Sequence, residues 1–184
     1  MDKEVVAKRC KLRQFREPDL RKFASYRALP EIAQYQSWDT YSYEDALDLY
    51  RDLQSKAFAL VDEWYQLAIV TLASDELIGD VAIHFLEAQR MEIGFTISPE
   101  FQRMGYGRES VSALLTYLFE DAKAQEVLAV TDAKNVASIK VLESLGFSRD
   151  PAATRQVIFK GEAGEEFDYA LSKSDWQTLR GRAS

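Results

Sequence analysis

The stretch from Met91 to about Lys123 constrains this chain more than any other. Met91–Ser98 alternates side-chain character and reads as a strand, which Pro99 ends. Gln102-Arg103-Met104-Gly105-Tyr106-Gly107 then places two glycines within three positions, and the period switches to that of a helix. Val111, Leu114, Leu115, Leu118 and Phe119 form its apolar stripe. The first turn of such a helix has backbone N–H groups without internal acceptors. The helix dipole adds positive charge there, and glycine lets an anion approach the backbone. Arg103 and Arg108 add cationic side chains. On this spacing alone, two readings stand: a plain strand-to-helix turn, or a loop for a phosphate-bearing ligand. It is not a Walker loop, because no Gly-Lys-Ser/Thr follows, and it lacks the third glycine of the dinucleotide fingerprint.

The rest of the chain surrounds that stretch with further strands and helices. Ala7–Phe15 reads as a first strand, and Glu17-Pro18-Asp19-Leu20 opens a helix. Pro30 interrupts it, and Glu31–Trp38 reads as a short second helix. Ser42, with Asp45 three residues on, caps a third. Trp64–Ala73, Leu77–Leu86 and Met91–Ser98 form an antiparallel meander. Glu126–Asp132 is a strand. Asn135–Leu145 is an amphipathic helix closed by Gly146. Strands follow near Phe147–Phe159 and Glu166–Ser172, joined by a hairpin turn at Gly161–Gly164, and Ser174-Asp175-Trp176 begins a last helix. The order β-α-α-α-β-β-β-α-β-α-β-β places the chain in the α/β (or α+β) class with a mixed sheet. Four prolines and eight glycines provide no flexible linker, so residues 1–184 read as a single domain.

Composition narrows the function. Hydrophobic residues make up 47% and charged residues 29%, an ordinary globular balance. No apolar run approaches the roughly 20 residues that span a bilayer. Met1-Asp2-Lys3-Glu4 lacks the apolar core of a signal peptide, so a cytoplasmic location without membrane partners is expected. The net charge of -7 disfavours nucleic acid, whose phosphates need a concentrated basic face. An acidic surface suits a cationic partner such as an amine, and also serves solubility alone. Cys10 is the only cysteine, which rules out an intrachain disulfide, and reads as either a buried or a reactive thiol. His84 is the only histidine, so no His-rich metal site and no Ser-His-Asp triad on another His can form; no metal is expected.

Two motifs together carry a resemblance. Gln102–Gly107, after Glu92-Ile93-Gly94-Phe95-Thr96-Ile97, resembles the acetyl-CoA loop Arg/Gln-x-x-Gly-x-Gly/Ala of the GNAT N-acetyltransferase superfamily. Asn135-Val136-Ala137-Ser138-Ile139-Lys140-Val141-Leu142-Glu143-Ser144-Leu145-Gly146-Phe147 is similar to the N-x-x-S-x-x-x-L-x-x-x-G-F signature of its ribosomal-protein acetyltransferase-like (RimJ/RimL-like) branch. Leu12-Arg13, Asp19-Leu20 and Phe167–Leu171 through Trp176 also look like that branch, so the resemblance covers nearly the whole chain. It implies a mostly antiparallel sheet of about seven strands, flanked by helices and splayed between the fourth and fifth. It implies acetyl-CoA as co-substrate. Gln102, Arg103, Met104, Gly105, Tyr106, Gly107 and Arg108 would wrap the pyrophosphate. Phe95, Thr96 and Ile97 would pair with the pantetheine arm like an added strand. Asn135 would bond that arm from across the gap, and its position equally fits a helix N-cap. A homodimer is expected from the family alone.

Acetyl transfer to an amine requires an ammonium to lose a proton, a carbonyl oxygen to be stabilised and a thiolate to leave. Direct attack needs no covalent enzyme intermediate. Glu92 resembles the family's fourth-strand glutamate and is the general-base candidate, with a solvated or salt-bridged strand residue as its structural alternative. Strand alternation puts Glu92, Gly94 and Thr96 on one face and Met91, Ile93, Phe95 and Ile97 on the other. His84, one strand earlier, is a second base candidate because imidazole is the side chain suited to proton transfer near neutral pH, although a core or surface role fits it as well. Many superfamily members place an acid tyrosine where this chain has Leu142. Ser138 is the substitute named for the RimJ/RimL-like branch, as acid or as a group positioning the sulfur. Tyr35, Trp38, Tyr41 and Tyr43 cluster where the family shapes its substrate mouth, or serve packing. The resulting expectation is an N-acetyltransferase acting on a primary amine, such as a protein N-terminus or a small amine. The alternatives are a non-catalytic acyl-CoA-binding or sensory module, and a nucleotide-binding regulator, which lacks any base-reading motif.

Overall fold

A computed structural model describes residues 4–150, 152 and 154–183. The start of the N-terminal segment, residues 1–3, lies outside them. In chain order the elements are β1 (Val5–Val6), β2 (Cys10–Arg13), α1 (Leu20–Arg27), α2 (Pro30–Ala33) and α3 (Tyr43–Ser55). The meander follows as β3 (Glu63–Thr71), β4 (Leu77–Phe85) and β5 (Arg90–Ile97). Then come α4 (Tyr106–Glu120), β6 (Glu126–Asp132), α5 (Val136–Ser144), β7 (Ser148–Arg149), β8 (Arg155–Phe159), β9 (Glu162–Ser172) and α6 (Lys173–Ala183). Among the described residues no helix is long and apolar enough to cross a membrane.

Nine strands form one sheet in the order β1-β2-β3-β4-β5-β6-β9-β7, with β8 pairing β9. All pairings are antiparallel except β5 with β6. That parallel pairing is short: Arg90, Met91 and Glu92 face Glu126, Val127 and Leu128, and the two strands then diverge. Beyond this point β5 continues on β4 as far as Ile97 opposite Gly79, and β6 continues on β9 as far as Asp132 opposite Glu166. The sheet therefore opens along one seam in its middle, as the family resemblance implies.

Local chemistry explains the flanking helices. The Ser42 hydroxyl accepts from the Asp45 amide at 3.1 Å while the Asp45 carboxylate accepts from the Ser42 amide at 2.7 Å, a reciprocal cap on α3. The α4 stripe Val111, Leu114, Leu115, Leu118 and Phe119 is buried in the core. Gly146 ends α5 at φ 89, where a Cβ would meet the Leu179 side chain at 2.1 Å.

Four expected elements differ. The first strand, expected over Ala7–Phe15, spans only Cys10–Arg13, with Val5–Val6 as a separate short strand beside it. The second helix stops at Ala33 instead of reaching Trp38, because the chain turns to place Tyr35 and Trp38 inward. The strand expected over Phe147–Phe159 is two short pieces, Ser148–Arg149 and Arg155–Phe159, both on β9; Pro151 and Ala153 lie outside the described residues. The hairpin turn is tighter than Gly161–Gly164: strand pairing resumes at Glu162, opposite Phe159.

Candidate active site

The loop before α4 is built to meet an anion. Gly105 sits at the helix N-cap with φ 84, a left-handed conformation that favours glycine. The first helical bond runs from the Glu109 amide to the Gly105 carbonyl at 3.0 Å, and no side chain caps this end. The amides of Tyr106, Gly107 and Arg108 thus have no helical acceptor. The Gln102 side chain donates to the Ile97 carbonyl at 2.9 Å and ties the loop to the end of β5. Arg9 braces it from behind. Its Nε donates to the Glu109 carboxylate at 2.7 Å, its Nη2 to the Met104 carbonyl at 3.0 Å, and its guanidinium lies 4.5 Å from the Tyr106 ring centre. Sequence reasoning missed Arg9, because the brace joins residues far apart in the chain.

Two cavities occupy the seam between β5 and β6. One, of about 630 Å³, is lined by Phe95, Thr96, Ile97, Gln102, Arg103, Gly105, Gly107, Arg108, Asn135 and Ser138, together with Tyr35 and Val141. Of the residues expected around a cofactor, only Met104 and Tyr106 are missing from its wall. Met104 is exposed, and Tyr106 packs against Phe101 and Arg9. The second cavity, of about 440 Å³, is walled by Arg27, Trp38, Trp64, Gln66, Asp80, Gly94 and Leu142. The two cavities share Tyr35, Gln36, Phe95, Thr96, Asn135 and Ser138. The Asn135 side chain accepts from the Ser138 amide at 3.2 Å, so Asn135 is the α5 cap as well as part of the wall.

A buried ion pair floors the second cavity. Asp80 is 2% exposed and accepts from the Tyr26 hydroxyl at 2.5 Å, Arg27 Nη1 at 3.0 Å and Gln66 Nε2 at 2.5 Å. The Arg27 guanidinium stacks 4.1 Å from the Trp38 ring centre, and Trp38 Nε1 donates to the Arg27 carbonyl. Tyr41 packs on Trp38 and Phe23, and burial pushes its phenol up to about 12. Tyr43 lies beside Arg21. Tyr35 and Trp38 therefore reach the cavities, while Tyr41 and Tyr43 pack around them.

Glu92 lines neither cavity. It lies one side-chain step from Gly94 on the same face of β5, opposite His84 on β4. Burial raises its carboxyl above the usual range, and the charges of His84 and Arg155 oppose that shift. Met91 and Ile93 are buried on the other face, as alternation requires. The His84 ring stacks on Trp64 at 4.8 Å, and its Nε2 lies 3.4 Å from Asp62. Leu142 is 1% exposed at the cavity wall and carries no proton to give. Cys10 is fully buried, and burial, with the neighbouring Glu109 carboxylate, raises its thiol to about 12. Among the described residues no group of acidic, His or Cys side chains is arranged to hold a metal.

The profile of the acetyltransferase (GNAT) domain matches residues 9–148, spanning the N-terminal brace, the splayed seam and α5. The chain belongs to the GNAT acetyltransferase family. It is 23% identical over 176 residues to a Bacillus subtilis protein named as the uncharacterized N-acetyltransferase YnaD, covering 94% of this chain and 98% of that one. A GNAT-family acetyltransferase from Bacillus anthracis superposes with a TM-score of 0.83 at 20% identity, over 94% of this chain and 99% of that one. The ribosomal α-N-protein acetyltransferase RimL, solved in complex with coenzyme A, superposes at 0.78 and 16% identity, over 92% and 98%. This GNAT chain is thus an N-acetyltransferase by family, and its acceptor is a question for its own cavities.

Proposed function

We propose that this chain moves the acetyl group of acetyl-CoA onto a primary amine by direct attack. The supporting observation is the seam itself, where an uncapped helix start and a freed strand edge open onto two cavities that meet at Asn135 and Ser138. The residues fit coenzyme A. The amides of Tyr106, Gly107 and Arg108, with the Arg103 and Arg108 side chains, would hold a pyrophosphate. The free edge of β5 at Phe95–Ile97 would pair with the amides of the pantetheine arm, and Asn135 would bond it from the α5 side. Acetyl-CoA supplies an acyl group on a thiolate leaving group.

The amine enters through the second cavity, past Trp38 and Trp64. Glu92 takes the ammonium proton, through water across the step from Gly94. Its raised carboxyl suits that task, since a base works best when it ionises near the working pH. Ser138 donates a hydrogen bond towards the sulfur. The acceptor is a protein N-terminal amine or a small amine, consistent with the net charge of -7. The RimJ/RimL-like signature at Asn135–Phe147 supports placement in that branch, and the cellular supply of acetyl-CoA supports a cytoplasmic location.

A non-catalytic acyl-CoA-binding role is the second reading, favoured by Leu142 in place of the family's phenol and by Glu92 standing outside both cavities. One experiment separates the two. The protein is given acetyl-CoA with a panel of small amines and N-terminal peptides, and free thiol is followed. Amine-dependent thiol release supports transfer. Tight acetyl-CoA binding without turnover on any amine supports the second reading.

A further inference from the structure

A proton must reach the sulfur as the thiolate departs, and Leu142 cannot give one. Of the six residues shared by the two cavities, Tyr35, Thr96 and Ser138 carry hydroxyls. A phenol ionises near about pH 10, within reach of an alkyl thiol at about 8.5, whereas an aliphatic alcohol holds its proton far more tightly. Proton transfer from a phenol to a leaving thiolate is therefore a small uphill step, and from an alcohol a large one. Tyr35 lines both cavities, and its hydroxyl is placed beside the start of α5. It donates to the carbonyl of Lys134, the residue before Asn135, at 3.5 Å.

The loop that carries Tyr35 is held from outside. Lys160 and Gly161 form a two-residue hairpin turn with left-handed φ angles of 52 and 81 between Phe159 and Glu162. From this tip the Lys160 ammonium donates to the Ala33 carbonyl at 2.9 Å and to the Trp38 carbonyl, and pairs with the Asp39 carboxylate at 2.8 Å. These anchors lie on either side of Tyr35 in the chain. The β8–β9 hairpin thereby fixes the short loop that brings the phenol to the seam.

We infer that Tyr35 is the acid that protonates the departing thiolate, and that Lys160 is the positioning residue that holds it there. This rests on acetyl transfer to an amine. The amine nitrogen bonds to the carbonyl carbon, the carbon–sulfur bond breaks, and its electron pair stays on sulfur. The phenolic proton of Tyr35 passes to sulfur. The nitrogen sheds two protons overall; one restores the phenol and the other leaves to solvent.

The test is Tyr35→Phe, which keeps the ring and removes the proton. Single-turnover rates are measured with acetyl-CoA and with its selenium analogue, whose selenolate leaves without protonation. Calorimetry compares the binding of CoA and desulfo-CoA. With acetyl-CoA the rate should fall about a hundredfold, and with the selenium donor less than about threefold. The wild type should prefer CoA to desulfo-CoA by about three- to tenfold, and the variant should lose that preference. Lys160→Met should show a smaller loss of the same donor-selective kind, which Lys160→Arg largely restores. Equal losses with both donors overturn the inference, as does a CoA preference that survives in Tyr35→Phe. A donor-selective loss in Ser138→Ala instead of Tyr35→Phe also overturns it and moves the proton to Ser138. A wild type that acetylates no amine fails at the proposed function, while the CoA to desulfo-CoA ratio still reports whether Tyr35 touches the sulfur.

Discussion

Replacing Asp80 by alanine should cost this protein about 3–5 kcal/mol of folding stability, because it strands a buried cation. Asp80 is 2% exposed and Arg27 is 7% exposed, so neither charge has much water to fall back on. The carboxylate is also the acceptor for the Tyr26 hydroxyl and the Gln66 amide, and both lose a partner. At about 2.1 cal/mol/K of unfolding entropy per residue, a 184-residue chain loses 1 kcal/mol for roughly each 2.6 °C of melting temperature. The expected fall is then about 8–13 °C. Thermal denaturation followed by far-ultraviolet circular dichroism measures it, with urea titration giving the free energy. The double variant Asp80→Leu with Arg27→Met removes both charges and should recover at least half of the loss, since apolar replacement of a buried pair is often nearly neutral. A loss below about 1 kcal/mol for Asp80→Ala, or strict additivity with Arg27→Met, would refute the view that the pair is a mutually dependent floor of the second cavity.

Other outcomes follow from the same geometry. Glu92→Gln should lower turnover at neutral pH. Burial raises the Glu92 carboxyl, so the folded state binds its proton more tightly than the unfolded state does. Its contribution to stability therefore falls as pH rises through that range. The Gln variant should melt higher than wild type at pH 7 and lose that advantage in acid; a variant less stable than wild type at pH 7 contradicts the burial argument. Gly105→Ala forces a side chain into the left-handed region at φ 84, at about 1–2 kcal/mol, and should weaken acetyl-CoA binding measured by calorimetry. Unchanged binding and stability would show that the loop relaxes freely. Cys10, buried with its thiol raised to about 12, should resist iodoacetamide in the native protein and react on unfolding; rapid native labelling would contradict its placement.

What the sequence disclosed depended on the range of the interactions. Glu126–Asp132 is observed with the expected bounds, because an alternating strand between a turn and a capped helix is specified locally. The Ser42–Asp45 cap and the left-handed Gly146 are equally local, and both stand as read. The helix expected to reach Trp38 ends at Ala33, since its aromatic residues are drawn to Arg27 and to the seam rather than kept on a helical stripe. Val5–Val6 and Ser148–Arg149 are too short to announce themselves, and they make the sheet nine strands rather than about seven. The loop Gln102–Arg108 was legible as an anion site, but Arg9 behind it was not. Nor were the Arg27–Asp80 floor or the Lys160 anchor, each of which joins residues 53 or more positions apart. Tyr35 was legible only as one of four aromatics, and the shared wall of the two cavities is what sets it apart.

The most direct test of a coenzyme A site in the seam is backbone hydrogen exchange with and without CoA. Binding as proposed should slow the amides of Tyr106, Gly107 and Arg108 and those at the free edge of Phe95–Ile97 by about tenfold or more, with little change at α6. No protection at the α4 start, or protection confined to the groove that Phe119, Lys123 and Trp176 line between α4 and α6, would contradict it.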